Sequence, residues 1–418
     1  MDIDFETLRR DTPGCKGNII HLNNAGASLM PQPVLSALSG HVELESRIGG
    51  YEAAAASEDA ISGFYDAIAA LLNGHRDEVA FLDSATRAWH AAFHAMEWHP
   101  ADVILTARSE YNANMVSFLH ARKRYGIEFR LVPDTVDGTI DTEALRAMIC
   151  PKTRLICLSH MPTNDGLVNP VEEVGKIARE HGLPFLLDAC QSAGQMPLDV
   201  EAIGCTMVSA TGRKYLRGPR GTGFLWAHAD WIEKLEPYAL DIRSASWCSA
   251  SSYKIADGAQ RFELWENNIA GQIALGEAAR YAMAADIGAM WPRIQELARA
   301  LREKIDGREG FSVHDQGTIR SGIVTFSHPR LSAAEIVAHL HSRHTINTSL
   351  SASQLTRADL AARGVSHMVR ASVHAYNTTS ELDALVEALV AMARQKDTGL
   401  PHANKNNKAS NTSIGVEQ

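Results

Sequence analysis

From about Val79 to Ala227, apolar residues fall into short unbroken runs, each followed by a longer stretch in which they recur at helical spacing. Short apolar runs bounded by turn residues read as buried strands, and helical stretches between them imply crossovers joining parallel strands. Strands are predicted near 79–84, 102–107, 128–133, 153–159, 184–188, 205–210 and 222–228. A helix is predicted from near Pro33, since proline suits a first helical turn, and the stretch from Glu43 to Tyr51 closes a helix at the Gly49-Gly50 pair. After Trp231 the pattern turns helical, with a strand at Ser321–Ser327, a helix at 332–342 and a strand at Met368–His374. The expected organisation is an N-terminal segment 1–30, a large α/β domain 31–268, a smaller α+β domain 269–395, and a tail 396–418 whose polar, unperiodic sequence reads as disordered.

Composition narrows the classes. A chain of 418 residues with 45% hydrophobic content can bury a large core and divide into two parts. A net charge of -9 argues against nucleic acid or an anionic membrane as the main partner. Neither a signal peptide nor an apolar run of membrane-spanning length is visible. The six cysteines show no paired CxxC spacing, so free thiols, a cytoplasmic location and no metal are expected.

Two strand ends carry candidate chemistry. The segment Ser209-Ala-Thr-Gly-Arg-Lys214-Tyr-Leu-Arg-Gly218-Pro-Arg-Gly221 places a lysine just past a strand, with a glycine-rich loop behind it. Ligands of open α/β sheets bind at that edge, where a lysine can reach a cofactor carbonyl; read alone, such a lysine is more often a solvated surface group. In Leu183-Pro-Phe-Leu-Leu-Asp188-Ala-Cys-Gln191-Ser-Ala-Gly194 an apolar strand stops at a carboxylate. A buried carboxylate needs a cationic partner, although Asp188 could equally cap the following turn. Pyridoxal 5′-phosphate (PLP) needs a lysine for attachment and an acid for its protonated ring nitrogen, and the two segments supply both. Asp83-Ser-Ala85-Thr86 opens a helix with small and hydroxyl residues, a phosphate cradle or a plain N-cap. In His21-Leu-Asn-Asn24-Ala25-Gly-Ala-Ser28 a short strand runs into small residues that permit close approach to a ligand, which makes Asn24 and Ala25 candidates.

With Val369-Arg-Ala-Ser-Val-His-Ala-Tyr-Asn-Thr378 near the end, these segments resemble the aminotransferase class V family of PLP enzymes. That group contains cysteine desulfurases, isopenicillin N epimerase-like proteins and ergothioneine-type carbon-sulfur lyases, and the resemblance runs from about Leu22 to Leu389. It implies fold type I: a large domain on a seven-stranded, mostly parallel sheet, a smaller α+β C-terminal domain, PLP as cofactor, and a homodimer with shared sites acting on a small amino acid. Residue by residue, it implies Lys214 as attachment lysine and base and Asp188 on the ring nitrogen, with Ala85, Thr86 and Thr211 on the phosphate. Tyr111 stands where desulfurases stack a histidine, and Arg213 replaces the histidine most of them carry before the lysine. Asn164 and Gln191 match the amides near the cofactor's phenolic oxygen, and Arg370 matches the arginine for the substrate carboxylate, with Asn24 and Ala25 on the substrate side. The family's cross-subunit phosphate threonine is replaced by Glu266, which moves that contact to Asn267 or Asn268.

The reaction is read from a gap and a likeness. Desulfurases that carry persulfide use a cysteine between small-domain strands; residues 344–364 hold none, so persulfide formation is disfavoured. The stretches Glu110-Tyr-Asn-Ala-Asn114, Arg213-Lys-Tyr-Leu-Arg-Gly-Pro-Arg-Gly221 and Glu266-Asn-Asn-Ile-Ala270 look like ergothioneine-type lyases. The expectation is therefore β-elimination at a carbon-sulfur bond, releasing pyruvate and ammonia from a cysteine-type thioether or sulfoxide. An aminotransferase or amino-acid epimerase of the same family is the alternative, and a cofactor-free binding module is the reading from another class.

Overall fold

The structure, a computed structural model, describes residues 4–398. The apolar runs form a seven-stranded sheet in the spatial order Val79–Leu82, Gly223–Ala227, Met207–Thr211, Phe185–Asp188, Thr153–Ser159, Val103–Ala107, Glu128–Val132. Pairings are parallel except that Gly223–Ala227 runs against both of its neighbours. Each strand lies within one or two residues of its expected limits.

Apart from the exposed edge strand Glu128–Val132, these strands read as largely apolar runs because both sheet faces are covered. In Thr153–Ser159 and Phe185–Asp188, Ile156, Leu158, Phe185 and Leu187 enter one apolar cluster while Leu155, Cys157 and Leu186 enter the other. Full burial of such a Leu, Ile or Phe side chain contributes about 1.5–3 kcal/mol. The crossover helices supply the covers: Val171–Glu180 buries Val174, Ile177 and Ala178 and turns Glu172, Glu173 and Lys176 outward.

Parallel strands put their carboxyl ends on one edge, and the chain order reverses between Val103–Ala107 and Thr153–Ser159. That reversal opens a crevice beside the ends of those two strands and of Phe185–Asp188.

A four-stranded antiparallel sheet follows, in the order Ser312–Val313, Ile323–Ser327, His367–Ser372, Ser349–Ala352. The N-terminal segment is stitched to this later part of the chain. Ile20–His21 pairs with Ile346–Asn347 and Asn23 bridges Ser372, bringing the residues after His21 alongside the strand that carries Arg370. The helix expected near Pro33 runs Gln32–Ile48, stops at Gly49 with φ +98°, and is followed at once by a helix over Gly50–Ala56. The chain after Trp231 is not directly helical: Ala245–Ser249 and Ser252–Ile255 form a hairpin with Trp247 opposite Tyr253. Its serine-rich turn carries none of the Asn-Gly or Gly-Gly signals that mark a tight hairpin, so the sequence pattern hid it. Helix Ile269–Ala284, at the expected boundary between the two domains, packs on Gln32–Ile48 and on Glu58–Leu72. The last helix, Thr379–Thr398, extends past Gln395, and the remainder of the expected tail lies outside the described residues. Among the described residues no helix is long and apolar enough to cross a membrane.

Candidate active site

At the crevice the sheet edge, the N-terminal segment and the strand His367–Ser372 enclose a cavity of about 400 Å³. Ala25, Tyr111, Asn164, Arg213, Lys214 and Arg370, all expected from the sequence, line it.

Lys214 follows Met207–Thr211 on a loop fixed by the residues after it. Arg217 takes a left-handed backbone, φ +63°, which costs a non-glycine residue about 1–2 kcal/mol. Its buried side chain offsets that cost: Nε donates to the Leu29 carbonyl at 2.9 Å, Nη2 to the Thr12 hydroxyl, and the guanidinium lies 4.7 Å from the centre of the Tyr376 ring. The lysine loop is thereby tied to the N-terminal segment. In the sequence Arg217 is one of several arginines on a glycine-rich loop, and no pattern there distinguishes it.

The Lys214 side chain is buried, with Nζ 5.7 Å from the centre of the Tyr111 ring. Burial first, then the Arg213 and Arg370 guanidiniums, lower its pKa to about 8 against the opposing influence of Cys190 and Asp188. A lysine that loses its proton near pH 8 can act as nucleophile and base.

Asp188 ends its strand with Oδ1 accepting the Cys190 N–H at 2.9 Å and Oδ2 accepting the Asn114 amide at 3.1 Å. Both donors are neutral, so the buried carboxylate keeps its capacity for a cation. Tyr111 opens the turn into helix Asn112–Tyr125, and burial, then Cys190 and Asp188, push its phenol upward in pKa. That ring offers a flat face and not a proton shuttle near neutral pH.

Arg370 is buried and held by neutral acceptors. Nη1 donates to the Thr163 carbonyl at 2.9 Å and hydroxyl at 2.7 Å, Nε to the Ser349 hydroxyl at 3.0 Å, and Nη2 to Asn23 Oδ1 at 3.4 Å. Burial, the largest cause, lowers its pKa to about 10. Asn23, Thr163 and Ser349 all line the cavity and were missed in the sequence, where a lone asparagine, threonine or serine on a loop carries no signal.

Among the described residues, three that line the cavity carry a buried side-chain atom with no partner, Asn112 Oδ1, Asn164 Nδ2 and Arg213 Nη1, and Gln191 Oε1, just behind the lining, is a fourth. An orphaned buried polar atom costs about 1–3 kcal/mol, so their grouping marks a place built for a polar occupant. Asn164 keeps a free donor while its Oδ1 accepts the Ser351 hydroxyl. Gln191 differs from expectation: its amide donates to the Ala25 carbonyl at 3.1 Å and the Thr163 hydroxyl at 3.2 Å, leaving an acceptor where a donor was expected.

The helix Ala85–His94 begins against the sheet, where Gly223 is required by close approach. A Cβ at Gly223 would lie 2.8 Å from the Ala85 nitrogen. Ser84 caps this helix through the Arg87 N–H at 3.3 Å, with Ala85 and Thr86 as its first residues. Thr211 is buried nearby in the neighbouring strand, its hydroxyl 3.4 Å from the Thr222 carbonyl.

Of the expected site residues, Asn24, Ala85, Thr86, Asp188, Gln191, Thr211 and Asn268 are not among those that line this cavity, and the side chains of Asn24 and Asn268 are engaged in other parts of the fold. Asn24 is fully buried outside the cavity lining, its amide donating to the Ser372 carbonyl at 2.8 Å and its oxygen accepting the Tyr376 hydroxyl. Asn23 lines the cavity in its place, where the chain bridges Ser372 and then turns at Asn24. Asn268 caps its own helix, Ile269–Ala284, by accepting the Gly271 N–H at 2.8 Å. Asn267 and Asn268 line, with Asp83 and Arg87 of the same chain, a second cavity of about 80 Å³.

The donor set fits PLP. A lysine with lowered pKa, a carboxylate without a cation, an aromatic face, a helix N-terminus and orphaned polar atoms are what that cofactor's carbonyl, ring nitrogen, ring face, phosphate and phenolic oxygen call for.

Comparison with known proteins agrees. A protein of Methanothermobacter thermautotrophicus named probable cysteine desulfurase is 26% identical over 393 residues, covering 93% of this chain and 98% of its own. One of the same name from Halobacterium salinarum is 29% identical over 408 residues, covering 94% and 95%. The solved apo cysteine desulfurase of Thermococcus onnurineus has a TM-score of 0.86 at 23% identity, covering 94% of this chain and 99% of its own, a likeness of fold. These relatives overturn the expectation that set persulfide-forming desulfurases aside in favour of a lyase releasing pyruvate. That expectation weighed one loop without cysteine, whereas the likeness to named desulfurases spans nearly the whole chain. The model of the family described as aminotransferase class-V matches residues 20–385, and the chain belongs to that family, as a PLP-dependent enzyme of fold type I.

Proposed function

We propose that this enzyme is a cysteine desulfurase: it converts cysteine and an accepting thiol into alanine and the persulfide of that thiol. The observation that carries the reading is Arg370, a buried guanidinium hydrogen-bonded to neutral acceptors, in one cavity with Lys214. The relatives named as desulfurases supply the choice of amino acid. Because residues 344–364 hold no cysteine, the accepting thiol comes from elsewhere on the protein or from solution.

PLP, when bound, supplies an electron sink for the bonds at the substrate's α-carbon. Lys214 attaches the cofactor and, as a free amine, moves the proton at Cα. Asp188 keeps a proton on the ring nitrogen, and Tyr111 covers one ring face. Ala85 and Thr86 at the helix start, with Thr211 and Arg213, hold the phosphate. Asn164 would donate to the phenolic oxygen through its free Nδ2, while Gln191 holds Ala25 and Thr163 in place. Arg370 would grip the α-carboxylate with its planar fork and so orient the substrate's α-carbon in the cavity beside Lys214.

The local likeness to ergothioneine-type lyases and isopenicillin N epimerase-like proteins bears, on this reading, on which thiol amino acids the pocket admits. A homodimer with shared sites and a cytoplasmic location belong to the same proposal; the exposed Ile242, Trp247, Tyr253 and Trp265, within one stretch of chain, support the former.

The lowered Lys214 pKa gives a pH prediction. Its amine is protonated below about pH 8 and neutral above, and only the neutral form attacks a carbonyl. The rate at which added PLP attaches to the cofactor-free protein should rise with pH up to about 8 and then level off. Stopped-flow absorbance reads this, and a rate still climbing at pH 10 would mean an ordinary lysine. The functional reading itself is tested by sulfide release from cysteine by the PLP-loaded enzyme with a reducing thiol present. Release is expected, and a loaded enzyme that releases none removes the proposal.

A further inference from the structure

We propose that Glu110 is a positioning residue of the cofactor site, one buried carboxylate that fixes both Tyr111 and, through Asn114, Asp188. Glu110 lies in the turn after Val103–Ala107 and is 2% exposed. Its Oε1 accepts the Tyr111 N–H at 2.7 Å, the Asn114 amide at 2.9 Å and the Ser159 hydroxyl. Its Oε2 accepts the Thr106 hydroxyl at 3.0 Å and the Ser159 N–H at 3.1 Å. All five partners are donors and none is charged.

The two backbone N–H groups and the Asn114 amide can only donate, and the two hydroxyls are free to donate as well, so the shell suits a carboxylate, which has lone pairs for it and no hydrogen to place in it. Burial, the largest influence, and Asp188 push its pKa up, while the hydrogen bonds from Ser159 and Asn114 pull it down. The titratable groups facing it are Asp188 and the buried Cys157.

The bridge through Asn114 gives this network its reach. The amide nitrogen has two hydrogens; one goes to Glu110 Oε1 and the other to Asp188 Oδ2. One neutral group therefore ties together two carboxylates that repel each other. Thr106, Ser159 and Asp188 stand on adjacent parallel strands, so Glu110 clamps the strand ends around the crevice. It sets the seat of the Tyr111 ring and the direction of the Asp188 oxygens, and its charge adds to that of Asp188 in holding a proton on the cofactor ring. The inference concerns the seating of PLP and is independent of which amino acid the enzyme uses.

Glu110→Gln keeps the shape, removes the charge and turns an NH2 toward either the three donors at Oε1 or the two at Oε2, so the Asn114 amide or the Ser159 N–H loses its acceptor. PLP is expected to attach to Lys214 in full, read by borohydride reduction and the mass of the labelled peptide. The induced visible circular dichroism of the bound cofactor should fall about twofold or more, since the ring is no longer held in one orientation. Its absorbance should titrate at a lower pH than in the wild type, because a lost neighbouring anion no longer favours the protonated form. Glu110→Asp, which keeps the charge, should titrate closer to the wild type than the Gln variant does. A Gln variant with wild-type titration overturns the proposal. If that variant does not fold, Asn114→Ala carries the test: full attachment with reduced dichroism supports the bridge, and wild-type dichroism overturns it.

Discussion

Replacing Lys214 by alanine is expected to lower turnover more than about a thousandfold while PLP still binds without a covalent bond. Two roles are lost together, attachment of the cofactor and movement of the proton at Cα, and no other amine lines the cavity. The noncovalent grip should persist, because the groups assigned to the phosphate, ring nitrogen and ring face are untouched. Thermal stability should not fall. A buried amine whose ionised form is disfavoured by its surroundings contributes little to folding, and its removal relieves desolvation. Absorbance after gel filtration, a melting curve and a turnover assay check the three statements, and multiple turnover by the variant would strip Lys214 of its role.

Arg370→Ala is expected to lower kcat/KM for cysteine by about 30-fold to 1,000-fold, equivalent to roughly 2–4 kcal/mol for a charge-assisted bidentate pair. The effect should depend on the carboxylate. An amine lacking that group, such as cysteamine, should bind about equally to wild type and variant, whereas cysteine should not. Some stability is lost as well, since Arg370 joins three separate segments through Thr163, Ser349 and Asn23. Arg370→Lys restores the charge but not the planar fork, and should recover only part of the loss. Equal loss for cysteine and cysteamine would mean a structural arginine.

The fold was legible because the strands, apart from the exposed edge strand Glu128–Val132, are buried on both faces and therefore largely apolar. Lys214 and Asp188 stand out in the sequence for a related reason: each lies at or just past the end of such a run, and although either alone reads as a surface lysine or a turn cap, the two together match what PLP needs, and the structure places Lys214 on the cavity. What escaped depends on contacts between distant parts of the chain. Asn23 and Asn24 are neighbours of the same type, and only the bridge of Asn23 to Ser372 decides which one faces the cavity. Gln191 was recognised by position, but the direction of its amide is set by Ala25 and Thr163. Asn268 sits at a helix start, where capping competes with any ligand role. Glu110 belongs to a stretch quoted for its likeness, but no role is legible for it there, since nothing in the sequence says that five donors converge on it. The reaction was misjudged because a missing cysteine on one loop bears on where sulfur is accepted, and not on whether the cavity cleaves the bond that releases it.

The most direct measurement is the carbon product formed from cysteine by the PLP-loaded enzyme in the presence of a thiol. The account predicts alanine, in amounts equal to the sulfur released over many turnovers. Pyruvate and ammonia in place of alanine would contradict it.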